Sequence, residues 1–160
     1  MRRAGALKVE SLPVKLKISW IGKTKLSAIQ SLTDEYLKRL THYAEVEGAA
    51  LKDEAALLAL AAGARSRSKS TLVLLDRRGQ QFSSEELAKF LGDYRERNPL
   101  PLLFAVGPAD GFSAEARGAA AQMVSLGKMT MAHELARVVL LEQLYRGFTI
   151  LQGHPYHIGH

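Results

Sequence analysis

The chain contains no cysteine among its 160 residues. This absence excludes disulfides, thiolate metal sites and thiol nucleophiles, and it leads us to expect a cytoplasmic protein. Long apolar runs are missing as well. The stretch from Ala4 to Leu7 is cut by Lys8 and Glu10, which makes it too short for the core of a signal peptide. No later stretch approaches the length of a transmembrane helix, so we expect no membrane association.

Several familiar motifs are also absent. The glycines at Gly107 and Gly111 do not have the spacing of a dinucleotide fingerprint or a P-loop, so neither NAD nor ATP is indicated. Spacing supports no Ser-His-Asp triad and no pair of catalytic carboxylates. His154, His157 and His160 recur at intervals of three but have no partner carboxylates near them. A metal site is therefore the least favoured interpretation of this segment, and we predict no metal.

The charge is moderately positive. Lys and Arg number 22 against 16 Asp and Glu, which gives a net charge of +6 and a pI near 9.7. Such a balance favours a polyanionic partner, with nucleic acid as the natural candidate. An equally weighted alternative is that the charge only keeps a small protein soluble. With 47% hydrophobic residues, the chain is large enough to bury the core of one domain.

Strand and helix patterns alternate along the chain. Buried-strand runs at Leu72 to Asp76 and Leu102 to Gly107 are each followed by a glycine-bearing turn and a helix. The full predicted series is a strand over Leu16–Gly22, a helix over Ile29–Tyr43, a weak strand over Glu45–Leu51, a helix over Asp53–Ala62, a strand over Thr71–Asp76, a helix capped by Ser83 and Glu86, a strand over Leu102–Gly107, a helix capped by Ser113, a short segment over Val124–Met131 and a helix over Glu134–Phe148.

This alternation predicts a single α/β domain with a largely parallel sheet sandwiched by helices. Ligands of such folds bind at the carboxyl ends of the strands. We therefore expect a site at three loops, which begin at Asp76, at Gly107 and around Ser125. Taken alone, the turn from Gly107 to Gly111 is more often an ordinary turn than a binding loop.

Charged and aromatic residues near the C-terminus are the other candidates for function. Arg137, Glu142 and Arg146 lie on an otherwise apolar helix, where charges must be paired, and a salt-bridged interface is the simple interpretation. The segment from His154 to His157 combines histidines, proline and tyrosine at a position where most chains end in featureless polar residues. It is either a floppy tail or part of a site, in which histidine serves as a base at neutral pH.

Three segments together carry a family resemblance: Met129–Val138, Leu141–Arg146 and His154–His157. They closely resemble the RlmH family of ribosomal RNA methyltransferases, and the resemblance extends from Val14 to His157. It implies a SPOUT-type fold with a C-terminal trefoil knot, a homodimer, and methylation of N3 of a pseudouridine in 23S ribosomal RNA with S-adenosylmethionine. We predict that residues 14–160 form this domain and that the atypical extension of residues 1–13 is disordered and dispensable.

The resemblance also implies roles for individual residues. Leu75 and Gly107 would contribute the first two loops of the cofactor site. The third loop would supply the remaining cofactor contacts, namely Gly127, Lys128, Met129, Thr130, Met131 and Ala132. The last helix, from Leu135 to Phe148, would pack at the dimer interface. Arg146 and the tail of the partner subunit would approach the substrate base. From the chemistry of the transfer, and not from the resemblance, we predict His157 as the catalytic base and Tyr156 as the residue that orients the nucleotide; the alternative is that the tail only shapes the RNA pocket.

The chain departs from the family pattern at four positions, which are Pro108, Gly127, Ala132 and Ile158. Pro108 removes a backbone donor and fixes φ at a position that is usually glycine in the family. These departures leave two alternatives open: a non-catalytic RNA-binding relative with an eroded cofactor site, or a methyltransferase of the same class that acts on another RNA.

Overall fold

The computed structural model of the protein describes residues 14–64 and 68–158, with residues 157 and 158 described by their backbone alone. The predicted extension of residues 1–13, residues 65–67, and the last two residues, Gly159 and His160, lie outside this description. The strands are β1 (Val14–Ile21), β2 (Ala44–Leu51), β3 (Thr71–Gln81), β4 (Leu102–Val106) and β5 (Gln122–Ser125). The helices are α1 (Ser27–Leu40), α2 (Glu54–Ala61), α3 (Ser84–Arg97), α4 (Ala114–Ala119), α5 (His133–Gln152) and a 3-10 helix (Pro155–Ile158).

The five strands form one sheet in the order β2-β1-β4-β3-β5, and every neighbouring pair is parallel. Leu16 of β1 pairs with Val46 on one side and with Leu102 on the other. The predicted parallel α/β fold is therefore confirmed. All carboxyl ends of the strands lie at one edge of the sheet, where the predicted loops follow. The trefoil knot stays a prediction.

Two apolar cores cover the two faces of the sheet. In β4, Phe104 belongs to the core under α1, α3 and α5, whereas its neighbour Leu103 belongs to the core under α2 and α4. Successive side chains of a strand point to opposite faces, so a strand covered on both faces has to be apolar throughout. This double covering explains the continuous apolar run that the sequence shows at β4.

The strand β3 differs from its prediction. We expected it to end at Asp76 in a loop, but it continues to Gln81 through an irregular segment. Leu75 and Gln80 both pair with Val124, so the residues between them bulge from the ladder. A Cβ on Gly79 would lie 2.5 Å from the backbone carbon of Met123, and only glycine fits there. The bulge thus replaces the expected loop and keeps Asp76 at the carboxyl edge.

The helix ends follow the sequence signals closely. Ser83 and Glu86 form the predicted capping box of α3, and Ser113 caps α4 by accepting a hydrogen bond from the backbone of Ala116. The last helix is longer than predicted, because it continues to Gln152 and ends only at Gly153, whose φ is 73°. Within the described residues, no helix has the length and apolar character that crossing a bilayer requires.

The charged residues of α5 are accommodated in two ways. Arg146 and Glu142 form the expected ion pair at 2.7 Å. Arg137 does not have a carboxylate partner among the ion pairs of the described chain. Its Nη1 instead donates to Thr33 Oγ1 at 3.2 Å, and its guanidinium lies 4.3 Å from the centre of the Trp20 ring. Burial lowers the pKa of Arg137, and nearby Glu134 opposes this effect.

Candidate functional site

A cavity of about 410 Å³ opens at the carboxyl edge of β3, β4 and β5. Its wall consists of three segments and the start of α5: residues 75–78, residues 106–112, residues 125–131 except Lys128, and the side of α5 that carries His133 and Ala136. The three loops that the sequence singled out therefore converge on one cavity. Its volume lies in the range of cavities that hold small molecules and cofactors.

The first segment is the bulge of β3. The backbone N–H of Arg78 donates to Asp76 Oδ1 at 2.8 Å, which fixes the turn within the bulge. Arg77 and Arg78 are exposed, and neither is in an ion pair of the described chain. The segment therefore places two cations at the mouth of the cavity.

The second segment is the turn after β4. An added Cβ on Gly107 would lie 2.9 Å from Cε2 of the buried Phe112 ring, so this ring occupies the space beside the glycine. The N–H of Gly111 donates to the carbonyl of Pro108 at 2.9 Å, and Gly111 has a φ of +85° that favours glycine. Pro108 is thus compatible with a closed turn at this position.

The third segment follows β5. Ser125 Oγ accepts from the N–H of Gly127 and donates to the carbonyl of the same residue, both at 3.1 Å. Gly127 has a φ of +134°, a conformation that residues with side chains rarely adopt. Beyond this turn Met129 is 88% exposed and Met131 is 43% exposed. Two large apolar side chains therefore stand at the rim of the cavity.

Most of the predicted cofactor residues line this cavity. They are Leu75, Gly107, Gly127, Met129, Thr130 and Met131. Lys128 and Ala132 were predicted with them, but neither is among the residues of the wall, although both flank residues that are. The wall also contains Phe112, His133 and Ala136, which were not among the predicted cofactor residues. The apolar spacing that marks Phe112 and Ala136 as core residues carries no sign that a cavity adjoins them.

The remaining predicted residues form a separate cluster near the C-terminal end of α5. Glu142 Oε2 accepts from Arg146 Nη2 at 2.7 Å and from the Tyr156 hydroxyl at 3.0 Å. The Arg146 guanidinium lies 5.1 Å from the centre of the Tyr156 ring, and the hydroxyl of Tyr36 is 3.5 Å from that of Tyr156. One carboxylate therefore holds two of the three predicted catalytic side chains.

The protonation of this cluster follows from its surroundings. Burial raises the pKa of Tyr156, and its hydrogen bonds with Tyr36 and Glu142 act in the same direction. The ion pair with Glu142 raises the pKa of Arg146. At neutral pH, Tyr156 is consequently a neutral hydrogen-bond donor, and Arg146 is a cation.

The first residues of the tail pack against their own chain. The Tyr43 hydroxyl is hydrogen-bonded to His154 Nδ1, and the Tyr43 ring stacks on Phe148 with centres 5.9 Å apart. Tyr156 meets Tyr145 edge to face at 4.9 Å. The alternative of a floppy tail is therefore wrong for His154 to Tyr156. The side chain of His157, the predicted base, lies outside the described structure.

In one chain, the cluster and the cavity lie at different places along α5. Ala136 lines the cavity, whereas Arg146 follows ten residues later and is not part of the wall. At a rise of 1.5 Å per residue, they are about 15 Å apart along the helix axis. One copy of the chain therefore does not bring Arg146 and Tyr156 to its own cavity.

Among the described residues, no group of three or more His, Asp or Glu side chains is arranged to hold a metal ion.

The chain is similar to known methyltransferases. The family model described as Predicted SPOUT methyltransferase matches residues 14–157. Ribosomal RNA large subunit methyltransferase H of Koribacter versatilis (strain Ellin345) is 58% identical over 147 residues, which are 92% of this chain and 100% of that protein. The protein of the same name from Geotalea daltonii is 41% identical over 152 residues, with 90% and 99% covered.

Two solved structures share the fold. The SpoU methyltransferase AviRb from Streptomyces viridochromogenes, in complex with the cofactor AdoMet, matches with a TM-score of 0.54 and 15% identity over 86% of this chain. This chain spans 60% of the length of AviRb. A probable methyltransferase from Bordetella pertussis Tohama I matches with a TM-score of 0.53 and 9% identity, covering 90% of this chain and 99% of that one. At these identities the likeness concerns the fold alone.

Proposed function

The chain belongs to the RlmH family of SPOUT methyltransferases, and from this membership we propose that it methylates large-subunit ribosomal RNA with S-adenosylmethionine. The observation that carries the proposal is the convergence of three loops on one cavity at the carboxyl edge of the sheet. The cytoplasm, where ribosomes work, is its proposed location. The methyltransferase domain would comprise residues 14–160, with residues 1–13 dispensable.

The cavity suits the proposed cofactor in both size and chemistry. Backbone N–H and carbonyl groups of the Gly107 and Gly127 turns border a space of about 410 Å³, and such groups recognise an adenine edge and a ribose. The rim also carries the apolar side chains of Leu75 and Met131, which suit the face of a purine. S-adenosylmethionine would supply an electrophilic methyl group at this site. The six lining residues predicted from sequence are the proposed contacts, and Lys128 and Ala132 would act through their neighbours.

The finer proposal is that the methyl acceptor is N3 of a pseudouridine in 23S ribosomal RNA. Transfer would form a bond from N3 to the methyl carbon and break the bond from that carbon to the cofactor's sulfur, which would leave as a neutral thioether; the imide proton must also depart, so a base beside N3 would be needed. The imidazole of His157 is the proposed acceptor of that proton. Tyr156 is a neutral donor, which fits it to orient the base rather than to remove a proton. Arg146 would stabilise the negative charge that develops on the ring.

We further propose that the active site is shared between two copies of the chain. Ala136 in the cavity wall and Arg146 in the Glu142 cluster lie about 15 Å apart along α5 in one chain, so a second copy is needed to unite them. Two α5 helices packed side by side in opposite directions would bring the cluster of one copy to the cavity of the other. Exposed apolar side chains near the start of α5, Leu135 and Met131, support α5 as the interface.

The test combines calorimetric titration of the purified protein with S-adenosylmethionine and transfer of labelled methyl to ribosomes that lack the modification. The proposal predicts binding, transfer to the unmodified ribosomes and no transfer to ribosomes that already carry the methyl group. Substitution of His157→Ala should abolish transfer and leave cofactor binding intact. If the methyl group were transferred to a different RNA instead, the proposed substrate would be wrong, but the proposed reaction would stand.

Pro108 favours a second candidate function, that of an RNA-binding relative without activity. Pro108 stands in the cavity wall and offers no N–H to a ligand. If the folded protein bound ribosomal RNA but not S-adenosylmethionine, this second function would replace the first. Restoring the donor with Pro108→Gly would then be expected to recover cofactor binding.

A further inference from the structure

Glu54 is the first residue of α2, on the face of the sheet that carries neither α5 nor the Glu142 cluster. From its contacts we infer that Glu54 is a positioning residue, which holds the turn from Gly107 to Ser113 in the form that binds the cofactor. This inference rests on the proposed function of the cavity. It concerns a residue that neither the sequence motifs nor the cavity wall includes.

Both oxygens of the Glu54 carboxylate are used by one residue at the end of that turn. The backbone N–H of Ser113 donates to Oε1 at 2.9 Å, and the Ser113 hydroxyl donates to Oε2. The same hydroxyl accepts from the N–H of Ala116 at 3.3 Å. Since a hydroxyl has one proton to donate, the carboxylate orients it and leaves a lone pair for the helix cap.

Ser113 connects directly to the wall of the cavity. The preceding residue, Phe112, is buried in that wall, and its ring lies 2.9 Å from the point that a Cβ on Gly107 would occupy. Its carbonyl accepts from Arg117 Nη1 at 2.6 Å. The peptide group between Phe112 and Ser113 is thus held at both of its polar atoms, the N–H by Glu54 and the carbonyl by Arg117. A shift at Ser113 would move the ring and, with it, the Gly107 turn.

The short helix α4 needs such an anchor. It has six residues and buries only Ala116, whereas a helix of this length is not stable by itself. The neighbouring α2 buries the larger side chain of Leu57, and its start is capped by Asp53, which accepts from the N–H of Ala56 at 2.9 Å. Glu54 therefore links α4, whose buried side chain is a single methyl group, to the capped start of α2.

The test measures cofactor affinity in Glu54→Ala and Glu54→Gln. Loss of a carboxylate that accepts two hydrogen bonds should weaken binding of S-adenosylmethionine about tenfold in Glu54→Ala, and less in Glu54→Gln, which keeps one acceptor. Because bound cofactor itself orders the turn, the KM for S-adenosylmethionine should rise while kcat at saturation holds. The control is Glu115→Gln, which removes a carboxylate from an exposed position on α4 and should change neither constant.

A double-mutant cycle with Ser113→Ala tests whether the two residues act together on cofactor affinity. If Glu54 acts through Ser113, the loss of affinity caused by Glu54→Ala is smaller in the Ser113→Ala background than in the wild type, because only the bond from the backbone N–H of residue 113 remains to be lost. Additive losses, or a fall in kcat with an unchanged KM, would overturn the inference. Absence of binding in the wild-type protein would instead contradict the proposed function.

Discussion

At the scale of single residues, Gly107 is a position in the cavity wall where an added side chain would meet a close neighbour. The carbon added by Gly107→Ala would lie 2.9 Å, 3.0 Å and 3.2 Å from three atoms of the Phe112 ring. The ring has to move away, and the turn that it supports moves too. We predict that Gly107→Ala weakens S-adenosylmethionine binding by at least about tenfold, measured by calorimetric titration.

The matched control is Gly118→Ala in α4, where an added carbon meets nothing within 4 Å. Alanine favours helix over glycine by about 0.5–1 kcal/mol, so this variant should melt no lower than the wild type and bind the cofactor equally well. Equal affinities in the two variants would contradict the steric role of Phe112.

Arg137 is a buried cation whose contribution is structural. It is 1% exposed and contacts Thr33 on α1 and Trp20 on β1. We predict that Arg137→Ala lowers the free energy of unfolding by about 3 kcal/mol, because it leaves a cavity in the core and removes the contact with the Thr33 hydroxyl. Urea titration measures this loss.

Arg39→Ala provides the contrast, because Arg39 forms an exposed ion pair with Glu35 at 2.7 Å. Exposed pairs contribute less than about 1 kcal/mol. If Arg39→Ala lowered the free energy of unfolding as much as Arg137→Ala, burial of the arginine would not determine how much stability its removal costs.

The sequence predicts where the site lies better than it predicts which residues line the site. Parallel strands that end in glycine-bearing turns bring Leu75, Gly107 and Gly127 to one edge, and the structure places all three in one cavity. Phe112 could not be predicted, since its contact with Gly107 depends on how the turn folds back. Nor does a pattern of apolar residues reveal that Glu54 reaches across to Ser113.

At the scale of elements, Glu134 joins the start of α5 to the loop before α1. Its carboxylate accepts from the N–H of Lys25 at 2.8 Å and from that of Leu26 at 3.4 Å. The hydrogen bond from Lys25 is the main reason that the pKa of Glu134 lies below its ordinary value. The nearby charges of Arg137 and His133 lower this pKa further, whereas burial raises it. The two elements are thus held together by an ionised carboxylate.

A lowered pKa in the folded state stabilises the protein above the ordinary pKa of glutamate, and this contribution is lost as the pH falls through the folded value. We therefore predict that Glu134→Gln has a lower Tm than the wild type at pH 7 and that the difference narrows below about pH 4. Melting curves between pH 7 and pH 3 test this, with Glu115→Gln as control. A difference that does not depend on pH would exclude the carboxylate as its source.

The predicted bounds of a helix or strand are wrong where contacts between residues far apart in the sequence determine them. Helix caps depend on residues close in sequence, and the predicted caps are therefore correct. Ser83 and Glu86 mark the start of α3, and Ser113 marks the start of α4. The extension of β3 beyond Asp76 depends on its pairing with β5, which begins at Gln122, and no local pattern reports it. The last helix continues past its predicted end at Phe148 to Gln152, and Gly153 ends it in a left-handed conformation.

At the scale of the whole molecule, the proposed dimer makes a direct prediction about mass. Leu135 is 52% exposed on α5 although it is a large apolar residue. The wild-type protein should have twice the 17.5 kDa mass of one chain by light scattering after gel filtration. Leu135→Lys places a charge in the interface and should give the mass of one chain, without methyl transfer.

Ala55→Lys adds the same charge on α2, at an exposed position on the other face of the sheet. It should remain dimeric and active. A dimeric Leu135→Lys variant would exclude the start of α5 from the interface, and a monomeric wild type would contradict the shared active site.

The position of β1 in the sheet has a consequence for the synthesis of the chain. β1 pairs with β2, which is made soon after it, and with β4, which is made much later. Until β4 leaves the ribosome, one edge of β1 has no partner, and such an edge is prone to pair with other chains. All residues of the cavity wall also come after Leu74 in the sequence. The proposed cofactor site is therefore complete only when the start of α5 has docked, and cofactor binding would report that β3, β4 and β5 of the newly made chain have assembled.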